Sequence, residues 1–277
     1  HLRRDYWVVT IALIFFYVGT AYHGWQVQKN GASIQQILTE AVDKLLGCQT
    51  YVSGVGRTDA GVHARRYVAN FKADCTIPLD RLPLALNAQL PDDIAVSAAV
   101  QVPEDFDARF SCTKKEYAYY VYPSRLPDPF LAGRAYRYTY PIDLARMQAG
   151  AQRFVGKQDF AAVRSVGTPV KSTVRTIFHC EVEACEAPGF TAQRDMEKEP
   201  LIRIRVCGDG FLYNMVRAIS GTLLYVGSGK LSPDDVTAIL RAGERAEAGP
   251  TLPAHGLYMN RLWYEDTPEL APYRLDA

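Results

Sequence analysis

An arginine and an aspartate stand two residues apart in a glycine-rich stretch, GVGRTDAGVHA, at residues 54–64. Aspartate is ionised at neutral pH, and glycine lets a flat substrate approach the backbone closely. The carboxylate of Asp59 could therefore act as a nucleophile or as a general base. The spacing alone also fits an ordinary surface ion pair between Arg57 and Asp59, which would contribute at most about 1 kcal/mol to stability.

A catalytic carboxylate in this stretch would have to stay ionised once a substrate had covered it. A neighbouring positive charge favours the ionised form of a carboxyl group. The sequence therefore predicts that a second arginine, distant in the chain, lies near Asp59.

Other familiar active-site motifs do not fit the sequence. A P-loop requires a lysine that residues 54–61 lack, and a dinucleotide-binding loop requires glycine where Asp59 stands. An aspartic protease needs two carboxylates that share a proton, but the chain has no Asp-Thr-Gly or Asp-Ser-Gly element. The GxSxG elbow of many hydrolases is also missing from the sequence.

Charge is unevenly distributed along the chain, although the formal net charge is only +1. Residues 109–180 carry twelve basic and four acidic side chains. A basic segment can attract a polyanion such as nucleic acid, although an ordinary solvated surface would look the same. The six cysteines include no CxxC pair, which favours reduced thiols over a disulfide set or a zinc site. The sequence predicts no metal site.

Strand and helix patterns alternate along the chain in two batches. The apolar run from Trp7 to Val18 resembles a signal peptide, but its β-branched and aromatic residues are more typical of a buried strand. The batches predict an α+β fold of two lobes, each a mixed or antiparallel sheet with helices on one face, and an active-site cleft between them. The predicted boundaries are residues 1–105 for the lobe with the aspartate loop, 106–266 for the second lobe and 267–277 for an irregular tail, with a hairpin loop or small insertion at 186–200.

Several segments, in order, resemble the TruA family of tRNA pseudouridine synthases. The glycine-rich stretch closely resembles the active-site signature of that family. The other segments are AYHGWQ at residues 21–26, ALNAQLPDDIAV at 85–96, FDARFSCTKKEYAYYVY at 106–122 and DGFLYNMVRAISGTLLYVG at 209–227. A stretch around Gly256 is similar to the last strand of the family. Because the segments keep their order over about residues 11–264, a chance match is excluded.

The resemblance implies an enzyme that isomerises uridine to pseudouridine and needs no cofactor and no metal. Asp59 matches the catalytic aspartate, and Arg57 matches a neighbouring arginine associated with flipping the target base. Tyr117 matches the tyrosine that packs against that base. Arg217 matches the arginine that pairs with the catalytic aspartate, which is the distant arginine expected above. Taken alone, Tyr117 would be an ordinary sheet residue and Arg217 an exposed helix residue.

The family also implies a cytoplasmic homodimer, not attached to a membrane, that binds the anticodon arm of tRNA and modifies uridines 38, 39 and 40. The RNA-contact candidates are basic residues and one loop histidine: Arg109, Lys114, Lys171, Arg175 and His23. Two alternatives stay open, which are the same reaction on another RNA and an idle RNA-binding or RNA-folding protein on the same scaffold.

The sequence departs from the family pattern at three positions. The family commonly has aspartate where Val18 stands, and a small residue and glutamine where Arg66 and Tyr67 stand. The departures spare Asp59, Tyr117 and Arg217, so we expect them to affect the contacts with RNA rather than the chemistry.

Overall fold

The computed structural model describes residues 8–186 and 200–277. Residues 187–199 of the predicted loop and Trp7 of the N-terminal run therefore lie outside the described residues. The chain divides into two compact units, one formed by His1–Thr113 with Met259–Ala277 and the other by Lys114–Tyr258.

Both units are built from α-helices and β-strands. The described residues contain five α-helices, which are α1 (Ile34–Leu46), α2 (Leu82–Asn87), α3 (Leu144–Gln152), α4 (Met215–Gly227) and α5 (Pro233–Ala242). They contain ten strands, which are β1 (Val9–Tyr17), β2 (Ser53–Gly54), β3 (His63–Ala73), β4 (Ile94–Val102), β5 (Lys114–Pro123), β6 (Tyr136–Tyr138), β7 (Gly156–Asp159), β8 (Val174–Cys185), β9 (Leu201–Gly208) and β10 (Leu257–Trp263). The predicted α+β class is confirmed.

The sheet of the first unit has β1 at its centre. β1 pairs antiparallel with β3 on one side and with β4 on the other, and β10 and the short β2 both neighbour β3. Residues 10–15 are all buried, and because successive side chains point to opposite faces, both faces of this part of β1 are covered. The apolar run is therefore a strand from Val9 onward, as its β-branched and aromatic residues predict. Among the described residues, none of the helices has the length and apolar character needed to cross a bilayer.

Helix α1 is bounded by Ser33 and Gly47, residue types that commonly cap the two ends of a helix. The hydroxyl of Ser33 accepts a hydrogen bond from the backbone N–H of Gln36 at 3.2 Å, which caps the first turn. Gly47 ends the helix with φ near +69°, in the left-handed region that favours glycine. The face that packs into the unit consists of Ile34, Leu38, Ala41 and Val42, all buried.

The sheet of the second unit follows the strand order β5-β9-β8-β7, with antiparallel pairing throughout. β6 adds a parallel pair with β5, so the sheet is mixed. Helix α3 packs against β8 and α4, and α4 packs against β5. The sequence analysis does not predict the strands β6 and β7, because each is only three or four residues long and shows no clear alternating pattern.

The boundary between the units differs from the predicted one. Residues 106–113 belong to the first unit because they pack against the end of the chain. The rings of Phe106 and Tyr264 lie 5.5 Å apart, and the hydroxyl of Tyr264 donates to the backbone oxygen of Ala108 at 2.5 Å. The backbone N–H of Thr113 donates to the oxygen of Trp263 at 2.7 Å.

The C-terminal segment is also more regular than predicted. It contains a short 3-10 helix (Pro268–Tyr273), and the side chains of Leu270 and Leu275 are buried. Residues 259–277 therefore belong to the first unit, whereas the two prolines of the tail predict irregular structure.

A charge network that includes one buried carboxylate crosses three strands of the second unit. Glu116 on β5 is fully buried, and its Oε2 lies 2.5 Å from Nε2 of His179 on β8 and 3.3 Å from Nη1 of Arg205 on β9. Arg205 also contacts Glu181 and Glu183 on β8. Opposite charges on adjacent strands therefore compensate one another, which is the condition for burying them at low cost.

Replacing Glu116 by alanine should lower the free energy of unfolding by about 1–3 kcal/mol, because charge-assisted hydrogen bonds in a buried setting are lost. Arg205 keeps two carboxylate partners in this variant. The matched control is Glu181→Ala, where the side chain is 50% exposed; its cost should stay below about 1 kcal/mol. Urea denaturation measures both, and equal losses would contradict the assignment of Glu116 as the central acid.

Candidate active site

Arg57 and Asp59 lie on the connection between β2 and β3, referred to below as the aspartate loop (residues 55–62). Thr58, between them, is buried, whereas Arg57 is exposed and Asp59 is partly exposed. A buried residue thus fixes the middle of the loop to the body of the unit. The two charged side chains on either side of it keep access to solvent.

Residues 17–25 form hydrogen bonds to the aspartate loop. The hydroxyls of Tyr17 and Thr58 lie 2.9 Å apart in a buried hydrogen bond. The backbone N–H of Trp25 donates to the oxygen of Thr58 at 3.2 Å, and the N–H of Gly61 donates to the oxygen of Tyr22 at 3.3 Å. Two of the segments that carry the family resemblance therefore contact each other directly.

Two glycines make this contact possible. A Cβ atom on Gly24 would overlap the backbone oxygen of Thr58, and Gly24 also has φ near +79°. A Cβ atom on Gly19 would overlap the backbone oxygen of Val62 at the other end of the loop. Both positions exclude any larger residue because backbone approaches backbone.

An aromatic cluster underlies the loop. The ring of Tyr67 stacks on Trp25 at 4.7 Å and lies 5.1 Å from Phe15 and 5.8 Å from Tyr17. Tyr67 is fully buried, and its hydroxyl donates to the backbone oxygen of Gly56. The cluster therefore fixes the position of the aspartate loop relative to β1 and β3.

The departures at Arg66 and Tyr67 serve internal contacts. Tyr67 supports the aspartate loop from its buried position. Nη1 of Arg66 donates to the backbone oxygen of Asn260 at 2.9 Å, and Nη2 donates to the oxygen of Ala277 at 2.6 Å. These bonds tie β3 to the C-terminal part of the first unit.

Tyr117 and Arg217 belong to the second unit. Tyr117 lies on β5, opposite Val206 of β9, and is partly exposed. The ring of Phe211 meets it edge to face, with centroids 5.1 Å apart and an interplanar angle of 89°. This geometry is favourable for aromatic pairs and fixes the tilt of the tyrosine ring.

Arg217 is a polar residue on an otherwise buried helix. All residues of α4 are buried except Arg217 and Tyr225, which are partly exposed. The Nε of Arg217 donates to the backbone oxygen of Leu252 at 2.7 Å, and Nη1 donates to Oδ1 of Asn214 at 2.9 Å. The structure therefore corrects the view of Arg217 as an exposed helix residue, because its guanidinium is held by neighbours.

Two side chains near Arg217, those of His255 and Tyr119, are held in their uncharged forms. Burial lowers the pKa of His255, and the charge of Arg217 lowers this pKa further. Burial raises the pKa of Tyr119, whose hydroxyl donates to the backbone oxygen of Pro253 at 2.6 Å. At neutral pH, Arg217 is therefore the charged member of this group.

The RNA-contact candidates occupy varied positions. His23, Arg109 and Lys171 are exposed, and the guanidinium of Arg109 lies 5.3 Å from the ring centroid of Phe110. The ammonium of Lys114 lies 4.9 Å from the ring centroid of Phe178, which is itself exposed. Nη1 of Arg175 donates to the backbone oxygens of Ser172 and Val174. In residues 8–186 and 200–277, no group of three or more His, Cys, Asp or Glu side chains is placed to hold a metal ion.

Sequence reasoning placed Asp59 and Arg57 in one loop correctly, but it missed the residues that support the candidates. These are Gly24, Tyr67, Phe211 and Asn214. Tyr67 carried a signal, because it is one of the positions that depart from the family pattern. The predicted proximity of Arg217 to Asp59 stays a prediction.

Comparison with known proteins identifies relatives over most of the chain. The sequence profile of a family described as "tRNA pseudouridine synthase" matches residues 13–111 and 151–265. A protein named tRNA pseudouridine synthase A from Ruminiclostridium cellulolyticum is 42% identical over 254 residues, which are 92% of this chain and 99% of the relative. Proteins of the same name are 41% identical over 254 residues in Acetivibrio thermocellus (92% of this chain, 99% of the relative) and 40% identical over 252 residues in Bacillus subtilis (90% and 97%).

Replacing Gly24 by alanine should displace the aspartate loop, because the new Cβ would overlap the oxygen of Thr58. The matched control is Gly47→Ala, which has a similar φ of +69° but no atom within 4 Å of the added carbon. The control should cost about 1–2 kcal/mol of stability from the left-handed backbone alone. Gly24→Ala should cost more and should also speed amide hydrogen exchange in residues 55–62. Unchanged exchange in that loop would contradict the role of Gly24.

Proposed function

Because this chain belongs to the tRNA pseudouridine synthase family, we propose that it isomerises uridine to pseudouridine in tRNA with Asp59 as the catalytic nucleophile. The observation that carries the proposal is the aspartate loop, in which a buried Thr58 anchors the backbone and leaves the adjacent carboxylate accessible. A nucleophile must reach its substrate while its own position stays fixed.

The reaction rearranges bonds within one nucleotide. The glycosidic bond from N1 of uracil to C1′ breaks, the base rotates, and a bond from C5 to C1′ forms. The proton on C5 is lost and N1 gains a proton, so no redox step is needed. Asp59 attacks either C6 of the base or C1′ of the ribose, and it is also the best-placed group to remove the C5 proton.

Arg57, Tyr117 and Arg217 are proposed to support the reaction, each in a role that fits its exposure or contacts. The target base must first leave its stack, which costs a few kcal/mol. Arg57 is exposed beside Asp59 and suits insertion into the space left by the base. Tyr117 presents a ring whose tilt is fixed by Phe211, and it suits packing against the flipped uracil. Arg217 keeps the carboxylate of Asp59 ionised when water is excluded.

The substrate is proposed to be the anticodon arm, with uridines 38, 39 and 40 as targets. Arg109, Lys114, Lys171, Arg175 and His23 are proposed to contact the RNA through charge and shape. The excess of basic side chains in residues 109–180 supports a phosphate-binding surface. We also propose that the enzyme works as a homodimer and that it acts in the cytoplasm, where tRNA is its substrate.

Asp59→Asn should reduce turnover more than about 1,000-fold, because the substitution removes the nucleophile and leaves the fold intact. Turnover is measured as tritium release from tRNA transcripts labelled at C5 of uridine. The matched control is Asp92→Asn, which removes one negative charge at another exposed position and should leave release unchanged. Affinity for the same tRNA should be nearly wild type in both variants.

Near-full tritium release from Asp59→Asn would show that the nucleophile lies elsewhere. Primer extension after carbodiimide treatment locates the product, and stops outside positions 38–40 would move the substrate while keeping the reaction. Tight tRNA binding by the wild-type protein without release would favour the idle RNA-binding alternative.

Replacing Lys171 or Arg175 by alanine should weaken tRNA binding similarly for all tRNA sequences, because phosphate contacts carry no sequence information. Each lost contact should reduce the slope of log affinity against log salt by about 1. The matched control is Lys44→Ala, an exposed lysine on α1 outside the basic segment. An unchanged salt slope in Lys171→Ala and Arg175→Ala would remove both residues from the proposed RNA surface.

A further inference from the structure

Asn214 adopts a costly backbone conformation at the start of α4. Its φ is 59° and its ψ is 14°, in the left-handed region. Asn214 and Arg274 are the two residues other than glycine with positive φ in residues 8–186 and 200–277. Asparagine tolerates this region better than most residues, but the conformation still carries a cost that the surroundings must offset.

The side chain of Asn214 also makes no capping hydrogen bond to the first turn of α4. An asparagine at a helix N-cap normally accepts a hydrogen bond from a backbone N–H in the first turn. The backbone oxygen of Asn214 accepts from the N–H of Ala218 at 3.0 Å, but its side chain forms no cap hydrogen bond. The position therefore bears two local costs, the left-handed backbone and the missing side-chain cap.

The side-chain amide instead forms hydrogen bonds with two other residues. Its Oδ1 accepts from Nη1 of Arg217 at 2.9 Å, and its Nδ2 donates to Oγ of Ser165 at 3.1 Å. The backbone N–H of Ser165 donates to the oxygen of Tyr213 at 3.0 Å, so Ser165 is itself fixed beside α4. The amide thus connects the guanidinium to an anchored neighbour.

We propose that Asn214 is a positioning residue for Arg217, and this inference rests on the proposed function in which Arg217 supports Asp59. Nη1 is held by Asn214 and Nε by the backbone oxygen of Leu252. Because a guanidinium is rigid and planar, two bonds at different nitrogens fix its plane. The left-handed backbone at residue 214 is what aims the amide along this line instead of into the first turn.

Two substitutions of Asn214 separate the side chain from the backbone. Asn214→Gly accepts positive φ and removes only the amide, so its melting temperature should stay close to that of the wild type. Its kcat for tritium release should fall about 10- to 100-fold, as expected for a lost hydrogen bond to a charged group. KM should stay within about twofold, because substrate binding does not depend on the amide. Asn214→Ala should show the same loss of kcat together with a lower melting temperature.

A double-mutant cycle with Arg217→Lys tests whether Asn214 acts through the arginine. Asn214→Gly should have little further effect on kcat in the Arg217→Lys background, because the partner of the amide is gone. Full additivity of the two losses would overturn the positioning role. A kcat within twofold of wild type for Asn214→Gly, beside a large loss for Arg217→Lys, would overturn it while leaving the proposed function standing.

An NMR measurement keeps the inference testable without any turnover. The Nε–H signal of Arg217 is assigned by its disappearance in Arg217→Lys. Rotation of the guanidinium should be slow in the wild type and faster in Asn214→Gly. Equal rotation in both proteins would overturn the positioning role, even if the wild type released no tritium and the proposed function had failed.

Discussion

The close approach of residues 19–25 to the aspartate loop is the contact on which the first unit depends. Gly24 and Gly19 carry no side chain, so the oxygens of Thr58 and Val62 lie where a Cβ atom would be. The loop is therefore held by close backbone packing and backbone hydrogen bonds, together with the side-chain hydrogen bonds of Tyr17 to Thr58 and of Tyr67 to Gly56. Asp59 therefore stands on a loop whose backbone position is fixed.

Arg217 is fixed by a different device. It lies on helix α4, in which nearly all residues are buried. Its guanidinium donates hydrogen bonds to the side chain of Asn214 and to the backbone oxygen of Leu252. Burial keeps the neighbouring imidazole of His255 neutral because its pKa is lowered. The helix and these two hydrogen bonds give the guanidinium of Arg217 a defined direction, and a guanidinium held in this way can stabilise a carboxylate.

Sequence reasoning recovered the elements whose signals are local. The buried strand β1 and the capped helix α1 follow from apolar patterns and capping residues. The short strands β6 and β7 could not be found, because three or four residues are too few to show an alternating pattern and both strands depend on pairing with β5 and β8. The left-handed conformation of Asn214 was also beyond prediction, since it depends on Ser165, almost fifty residues away in the chain.

Tyr67 shows how a departure from a family pattern can be absorbed. Its ring fills the space between Trp25 and Phe15, and its hydroxyl reaches the backbone oxygen of Gly56. A glutamine at this position, common in the family, could offer the same oxygen a donor but would not provide the aromatic surface. The aromatic side chain adds burial beneath the loop, and its rigid ring loses less conformational entropy than glutamine would. The substitution therefore changes what supports the aspartate loop and preserves the loop itself.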